Sequence, residues 1–119
     1  MFGKFFKPRP LPTSSHPAGG QAVLLYLEGE DFDRMVDLSD KLTEAIESAN
    51  VGEFDGNEIG GGETVLFMYG PDAEALFQAV EPILIREESA HSARAVIRWG
   101  SPGSPQREVL IGAKNQPAQ

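Results

Sequence analysis

Gly52-Glu53-Phe54-Asp55-Gly56-Asn57-Glu58-Ile59-Gly60-Gly61-Gly62-Glu63 is the stretch on which the fold turns, since it lies between a helical pattern and a strand pattern. It combines five glycines with five acidic or amide side chains. Glycine adopts positive φ and admits close backbone approach without steric penalty, so this density of it specifies an unusual backbone path. The reading is a hairpin that carries a β-bulge or a wide connection, allowing its two strands to twist.

Working outward on the N-terminal side, Phe32, Met35, Leu38, Leu42, Ala45, Ile46 and Ala49 recur at steps of three and four. Asp33, Asp37, Asp40, Lys41, Glu44 and Glu47 take the other side. The spacing predicts an amphipathic helix, with Asp31 as its N-cap and Asn50 with Gly52 as its stop. Before it, Gln21 to Glu28 reads as a strand with both faces at least partly covered. On the C-terminal side, Thr64 to Tyr69 is a compact β-branched and aromatic strand ended by Gly70-Pro71.

A second helix opens at Pro71 and Asp72, with Leu76, Phe77, Val80, Ile83 and Leu84 as its stripe. Pro82 lies inside it and removes one backbone bond, which predicts a kink or an end near Glu81. His91 to Trp99 alternates as a further strand, with Arg94, Val96 and Arg98 on one face and Ala93, Ala95, Ile97 and Trp99 on the other. After the turn at Ser101 to Pro105, Arg107 to Ile111 can fold back as a short fifth strand at the edge. The order is β-α-β-β-α-β. It matches an α+β, ferredoxin-like sandwich in which two helices pack on one face of an antiparallel sheet.

With 119 residues, the chain suits one domain, and residues 21 to 111 hold it. Residues 1 to 20 form a basic, proline-rich segment read as a flexible arm, and 112 to 119 read as a disordered tail. Phe2, Phe5 and Phe6 interleave with Lys4 and Lys7 at the arm's tip, which gives at most marginal membrane contact and no stable insertion. There is no cysteine, which removes disulfides and thiolate chemistry and suits a reducing cytoplasm. The net charge is −8, but the arm carries three cations and no acid, so the remainder holds seven cations against eighteen acids, or −11. Such a field repels phosphates and favours basic proteins, which argues against nucleic acid as partner.

Few residues suggest chemistry. Strict alternation puts Glu53, Asp55 and Asn57 on one side of the hairpin strand and Phe54 and Glu58 on the other, which lines up three oxygens. Asp55-Gly56-Asn57 looks superficially like part of a calcium loop, but that device needs fixed alternate ligands and a distal glutamate between two helices, so no metal is expected. Gly60-Gly61-Gly62 suggests an anion nest, yet it enters a strand rather than a helix and ends in Glu63, so no phosphate or other cofactor is expected. His16 falls in the arm. His91 follows Glu87 and Glu88, and with no nucleophile in context it reads as part of a solvated turn, so no catalytic residue is assigned.

The sheet face away from the helices must be covered, polar or used. Tyr26, Leu24, Arg94, Arg98 and either Phe67 with Tyr69 or Leu66 with Met68 populate it. A sheet-to-sheet homodimer, or cover by the C-terminal strand and the arm, accounts for apolar residues there better than RNA stacking does, since the RRM signature is absent.

Gly52 to Gly56, Gly62-Glu63 and Leu66-Phe67-Met68-Tyr69-Gly70-Pro71-Asp72-Ala73 together resemble the pattern of small uncharacterised bacterial proteins of ferredoxin-like type. The resemblance covers Gln21 to Trp99, implies the fold and implies no catalytic residue. Function is therefore read from charge and size: a small acidic, non-catalytic module that engages a basic protein, in the manner of immunity or inhibitor proteins. The interaction residues expected are Glu53, Asp55, Asn57, Glu58 and Glu63 on the hairpin, or Asp37, Asp40 and Glu44 on the helix. The alternative expectation is a small-molecule or divalent-cation binding protein, or an enzyme, that uses Gly52 to Glu63.

Overall fold

In a computed structural model of the chain, residues 20–112 are described. The basic arm and the C-terminal tail, with His16, Phe2, Phe5 and Phe6, lie outside these residues apart from Gly20 and Gly112. The elements are β1 (Gln21–Glu28), α1 (Phe32–Ala49), β2 (Glu53–Gly60), β3 (Glu63–Gly70), α2 (Ala73–Arg86), β4 (Arg94–Arg98) and β5 (Gln106–Leu110). This is an α+β domain in which one antiparallel sheet has the strand order β2-β3-β1-β4-β5. The fifth strand lies beside β4, one residue earlier than expected, and Ile111 extends the pairing by donating its N–H to the Ala93 carbonyl at 2.8 Å.

Both helices cover the same face of the sheet. Met35, Leu38, Leu42 and Ile46 of α1 and Leu76, Phe77, Val80 and Leu84 of α2 meet Val23, Leu25, Leu66, Met68, Ala95 and Ile97 in one core. Each helix starts where the sequence predicts. Asp31 accepts from the Arg34 N–H at 3.1 Å, and Asp72 accepts from the N–H groups of Glu74 and Ala75 at 3.1 and 3.2 Å. Asn50, at φ +56°, closes α1 in the left-handed region.

Two expectations are corrected. Of the kink or end expected near Glu81, the end is overturned: α2 runs on to Arg86 through Pro82. Pro82 and Gln78 are both exposed, so water can satisfy the carbonyl that the proline leaves without a donor, while Val80 and Leu84 hold the flanking turns in the core. The strand expected from His91 starts only at Arg94, because Glu88–Ala90 closes a 3-10 turn and Ser92 sits at φ +75°.

The hairpin is tight, not wide. Gly61 and Gly62 form a two-residue connection with φ of +64° and +84°, the pattern of a type I′ turn. The Gly62 N–H donates to the Glu30 carboxylate at 2.6 Å, so the anion held at these glycines is the chain's own. At the other end of the hairpin, β2 begins and β3 ends in close backbone contact. A methyl group at Gly52, which sits at φ +151°, would run into the Tyr69 carbonyl, and one at Gly70 would run into the Val51 carbonyl.

Strand β5 is tied to the start of α2 by a two-pronged ion pair: Arg107 Nε and Nη2 donate to the two Glu74 carboxylate oxygens at 3.0 and 2.7 Å. The hydrogen bond from Arg107 holds the Glu74 carboxyl below the usual carboxylate range. Because the folded pKa lies below the unfolded one, this contact stabilises above the unfolded pKa and is lost as the pH falls through the folded one.

Two outcomes are expected. Gly52→Ala should lower unfolding free energy by about 2–3 kcal/mol in urea titration, from backbone overlap and strain, whereas Gly60→Ala, with open space at its Cβ, should change it by less than about 0.5 kcal/mol. Hydrogen exchange at the Val109 amide should quicken as the pH falls through the Glu74 titration, beyond the intrinsic change, and Arg107→Gln should remove that extra dependence.

Candidate functional site

A single bulge decides which hairpin side chains share a face. Pairing along β2 and β3 matches Phe54 with Met68 and then Gly56 with Phe67, so Asp55 is inserted between two paired positions. Beyond that point the side-chain phase inverts. Phe54, Asn57 and Ile59 accompany Met68, Leu66 and Thr64 toward the helices, while Glu53, Gly56 and Glu58 accompany Tyr69, Phe67 and Val65 on the far face. The expected line of Glu53, Asp55 and Asn57 therefore does not form. Among the described residues no group of three or more histidine, aspartate or glutamate side chains is placed to hold a metal ion.

The signal for the bulge was present in the sequence. Phe54 and Ile59 are five residues apart, an odd number, yet both pack against the core. Simple alternation cannot place them on one side; one inserted residue can. Asn57 lies on the helix side as a consequence, and its Oδ1 is buried without a hydrogen-bond partner. Its position makes it a poor contact residue and a weak point of the fold.

The far face is ordered in rows across the sheet. Pairing gives Glu53, Tyr69, Ala22, Arg98 and Gln106 in one row; Gly56, Phe67, Leu24, Val96 and Glu108 in the next; and Glu58, Val65, Tyr26, Arg94 and Leu110 in the third. The choice the sequence left open is resolved in favour of Phe67 with Tyr69, and Leu66 with Met68 belongs to the core. Carboxylates stand along β2, aromatic and aliphatic side chains fill the middle, and arginines stand along β4. Gly56, at φ +137°, sets no side chain beside Phe67.

The arginines are engaged locally. Arg94 stacks over the Tyr26 ring at 4.2 Å and lies within 3.9 Å of Glu63 and 3.6 Å of Glu108. Arg98 is buried and donates from Nε to the Gly100 carbonyl at 2.8 Å. On the β2 side Glu53, Asp55 and Glu58 are all exposed.

Asp37, Asp40 and Glu44 are exposed on α1, whose other side packs on the sheet, so they belong to the opposite surface of the molecule from Glu53 and Glu58. No flat partner spans both sets. Asp37 joins Asp33, Arg34, Glu87, Glu88 and His91 around an open groove of about 820 Å³. Lys41 bridges the groove's edge, 3.2 Å from Asp37 and 3.1 Å from Glu87, and these two hydrogen bonds raise its pKa, that from Glu87 the more. His91 meets the Ile85 carbonyl through Nε2 at 3.1 Å. That contact turns the ring to the backbone and not to Glu87 or Glu88. The groove was not foreseen, because it unites α1 with the turn after α2, segments about fifty residues apart that share no local motif.

Comparison with protein-family models, with curated proteins and with solved structures gives no match to this chain. The arrangement itself is thus the ground for a functional reading.

Asn57→Val should raise the urea midpoint by an amount equivalent to about 1 kcal/mol, because it removes an unsatisfied buried oxygen and adds a β-branched side chain to a strand. A lowered midpoint would mean that the amide makes a contact the fold depends on.

Proposed function

We propose that the domain is a non-catalytic binding module that engages a basic protein through the β2 side of its far face. One observation carries this reading: carboxylates at Glu53 and Glu58 flank, in register, an aromatic surface made of Tyr69, Phe67 and Tyr26. A cationic segment carrying apolar side chains meets both needs there, burying its apolar groups on the rings while its charges reach the edge. The stacking of Arg94 on Tyr26 at 4.2 Å is an internal instance of the same chemistry.

The overall charge favours the same kind of partner. A net charge of −8 draws a basic protein toward the domain and speeds its association, while the apolar contact sets how long it stays. Among the described residues no helix is long and apolar enough to cross a membrane. A cytoplasmic site of action belongs to the same proposal.

The fold reading belongs with this proposal. A strand, helix, strand order in which β3 lies between β1 and β2, repeated in antiparallel sense by β3, α2 and β4, supports a ferredoxin-like domain to which β5 has been added. The resemblance read from the sequence implies this architecture and assigns no activity.

The experiment is an affinity capture from source lysate with the wild-type chain beside a Glu53→Lys, Glu58→Lys bait, followed by association kinetics of any recovered protein. A basic protein retained by the wild type alone should associate on the order of tenfold more slowly at 150 mM than at about 15 mM salt. Equal retention by both baits, or a rate indifferent to salt, sinks the reading.

A further inference from the structure

Strand β2 forms one edge of the sheet, and among the described residues β3 alone pairs with it. Which of its backbone groups point outward follows from how β3 meets β1. The Gly29 N–H donates to the Gly62 carbonyl, which directs the backbone groups of Gly62, Thr64 and Leu66 toward β1 and those of Glu63 and Val65 toward β2. Their partners Gly60 and Glu58 are thereby engaged, while Asn57 and Ile59 turn N–H and C=O away from the sheet. The side chains of Asn57 and Ile59 face the helices, and that of Glu58 faces the opposite way. The bulge at Asp55 ends this regular stretch on one side and the Gly61-Gly62 turn ends it on the other, which leaves Gly56 to Gly60 as open edge.

Helix α1 overlooks this edge. It contacts β2, whereas α2 contacts β1, β3 and β4. It runs antiparallel to β2 over nearly the same length: 18 residues at about 1.5 Å and eight at about 3.3 Å give about 27 and 26 Å. Lys41, bound to Glu87, marks the flank of α1 that faces α2. At about 100° per residue, Phe32, Val36 and Thr43 lie about 140 to 180° around the helix from it, on the flank above the outer side of β2. Phe32 and Val36 are 43 and 37 % exposed there, although both are large and apolar. The sheet's other edge differs, because beside α2 the matching place is taken by Arg107, bound to Glu74 and 5.9 Å from the centre of the Phe77 ring.

We propose that the β2 edge takes an added strand: an extended, antiparallel segment of a basic protein, with apolar and cationic side chains in alternation, pairs its backbone with Asn57 and Ile59. This rests on the binding function proposed above and specifies how the partner is held. Residues opposite one another in an antiparallel pair share a face, so the segment's residues opposite Asn57 and Ile59 point toward α1 and meet Phe32 and Val36. The residue between them shares the face of Glu58, where a carboxylate selects a cation. Backbone bonds supply affinity without regard to sequence, and the alternation supplies selection. Carboxylates at Glu53 and Glu58 oppose pairing of this edge with the same edge of a second copy, which makes a cationic strand the fitting occupant.

The probe is an end-capped octapeptide of alternating valine and lysine, added to the isotopically labelled full chain. Saturation should slow hydrogen exchange at the Asn57 and Ile59 amides on the order of tenfold and bring valine methyl groups within NOE range of Val36. N-methylation of the valines, whose N–H groups face β2, should weaken binding on the order of tenfold, whereas N-methylation of the lysines, whose N–H groups face solvent, should not. Val36→Ser, at an exposed helix position, should weaken it severalfold, and Ile85→Ser on α2 should leave it unchanged. Absence of binding at millimolar peptide, or indifference to which set of residues is methylated, overturns the inference. Shifts confined to Tyr26, Phe67 and Tyr69, with exchange at Ile59 unchanged, also overturn it and leave the far-face binding reading standing. The capture experiment reads retention through Glu53 and Glu58 and not backbone pairing, so the two readings fail separately.

Discussion

Strand β2 has to bury Phe54 and Ile59 in the same core although five residues separate them, and much else follows from how the chain meets that demand. Alternation along a strand permits only even separations on one face. The inserted Asp55 restores the phase, at the expense of one unpaired position in the ladder. Because of it Glu58 joins Glu53 on the far face and Asn57 turns inward. Without the bulge Glu58 would face the helices, and the edge of the aromatic surface would lose half of its aligned carboxylates.

The glycines divide this work among themselves. Gly52 and Gly70 let the start of β2 and the end of β3 approach more closely than any side chain allows, which fixes the register at one end. Gly61 and Gly62 close the other end in the two-residue turn whose twist suits a hairpin. That turn is held to the rest of the sheet by the Gly29 N–H, which donates to the Gly62 carbonyl at 2.7 Å, and by Thr64 Oγ1, which donates to the Gly29 carbonyl at 2.8 Å. With both ends pinned, the one spare residue has to be absorbed in between. Gly56 follows the bulge directly, and at φ +137° it takes up backbone distortion that other residues adopt only under strain.

Legibility in the sequence tracked the range of the interaction. Helix α1 and its caps were readable because the 3.6-residue period, Asp31 and Asn50 are all local signals. The far face was readable only up to a choice between two sets in β3, since period two says that alternate residues share a face and not which face it is. Long-range pairing made that choice. Of the kink or end expected at Pro82, the end did not occur: the local penalty of the proline is outweighed by Val80 and Leu84, fully buried on either side of it. Of the groove, His91 with Glu87 and Glu88 was visible locally as a turn, and its union with Asp33 and Asp37 of α1 was not.

The two acidic surfaces, though similar in composition, differ physically. On α1 the carboxylates stand on a solvated helix face, where holding a long side chain in place costs entropy and salt screens what is gained, so exposed pairs there contribute little. Their main effect is on solubility and on the field around the molecule. Along β2 the carboxylates adjoin rings, so a cation that reaches them also removes apolar surface from water, at about 25 cal/mol per Å². Under the proposed function, charge directs a partner to a place where burial can hold it. Alignment of the two within three rows of one sheet, and not the number of acids, is what the proposed binding role rests on.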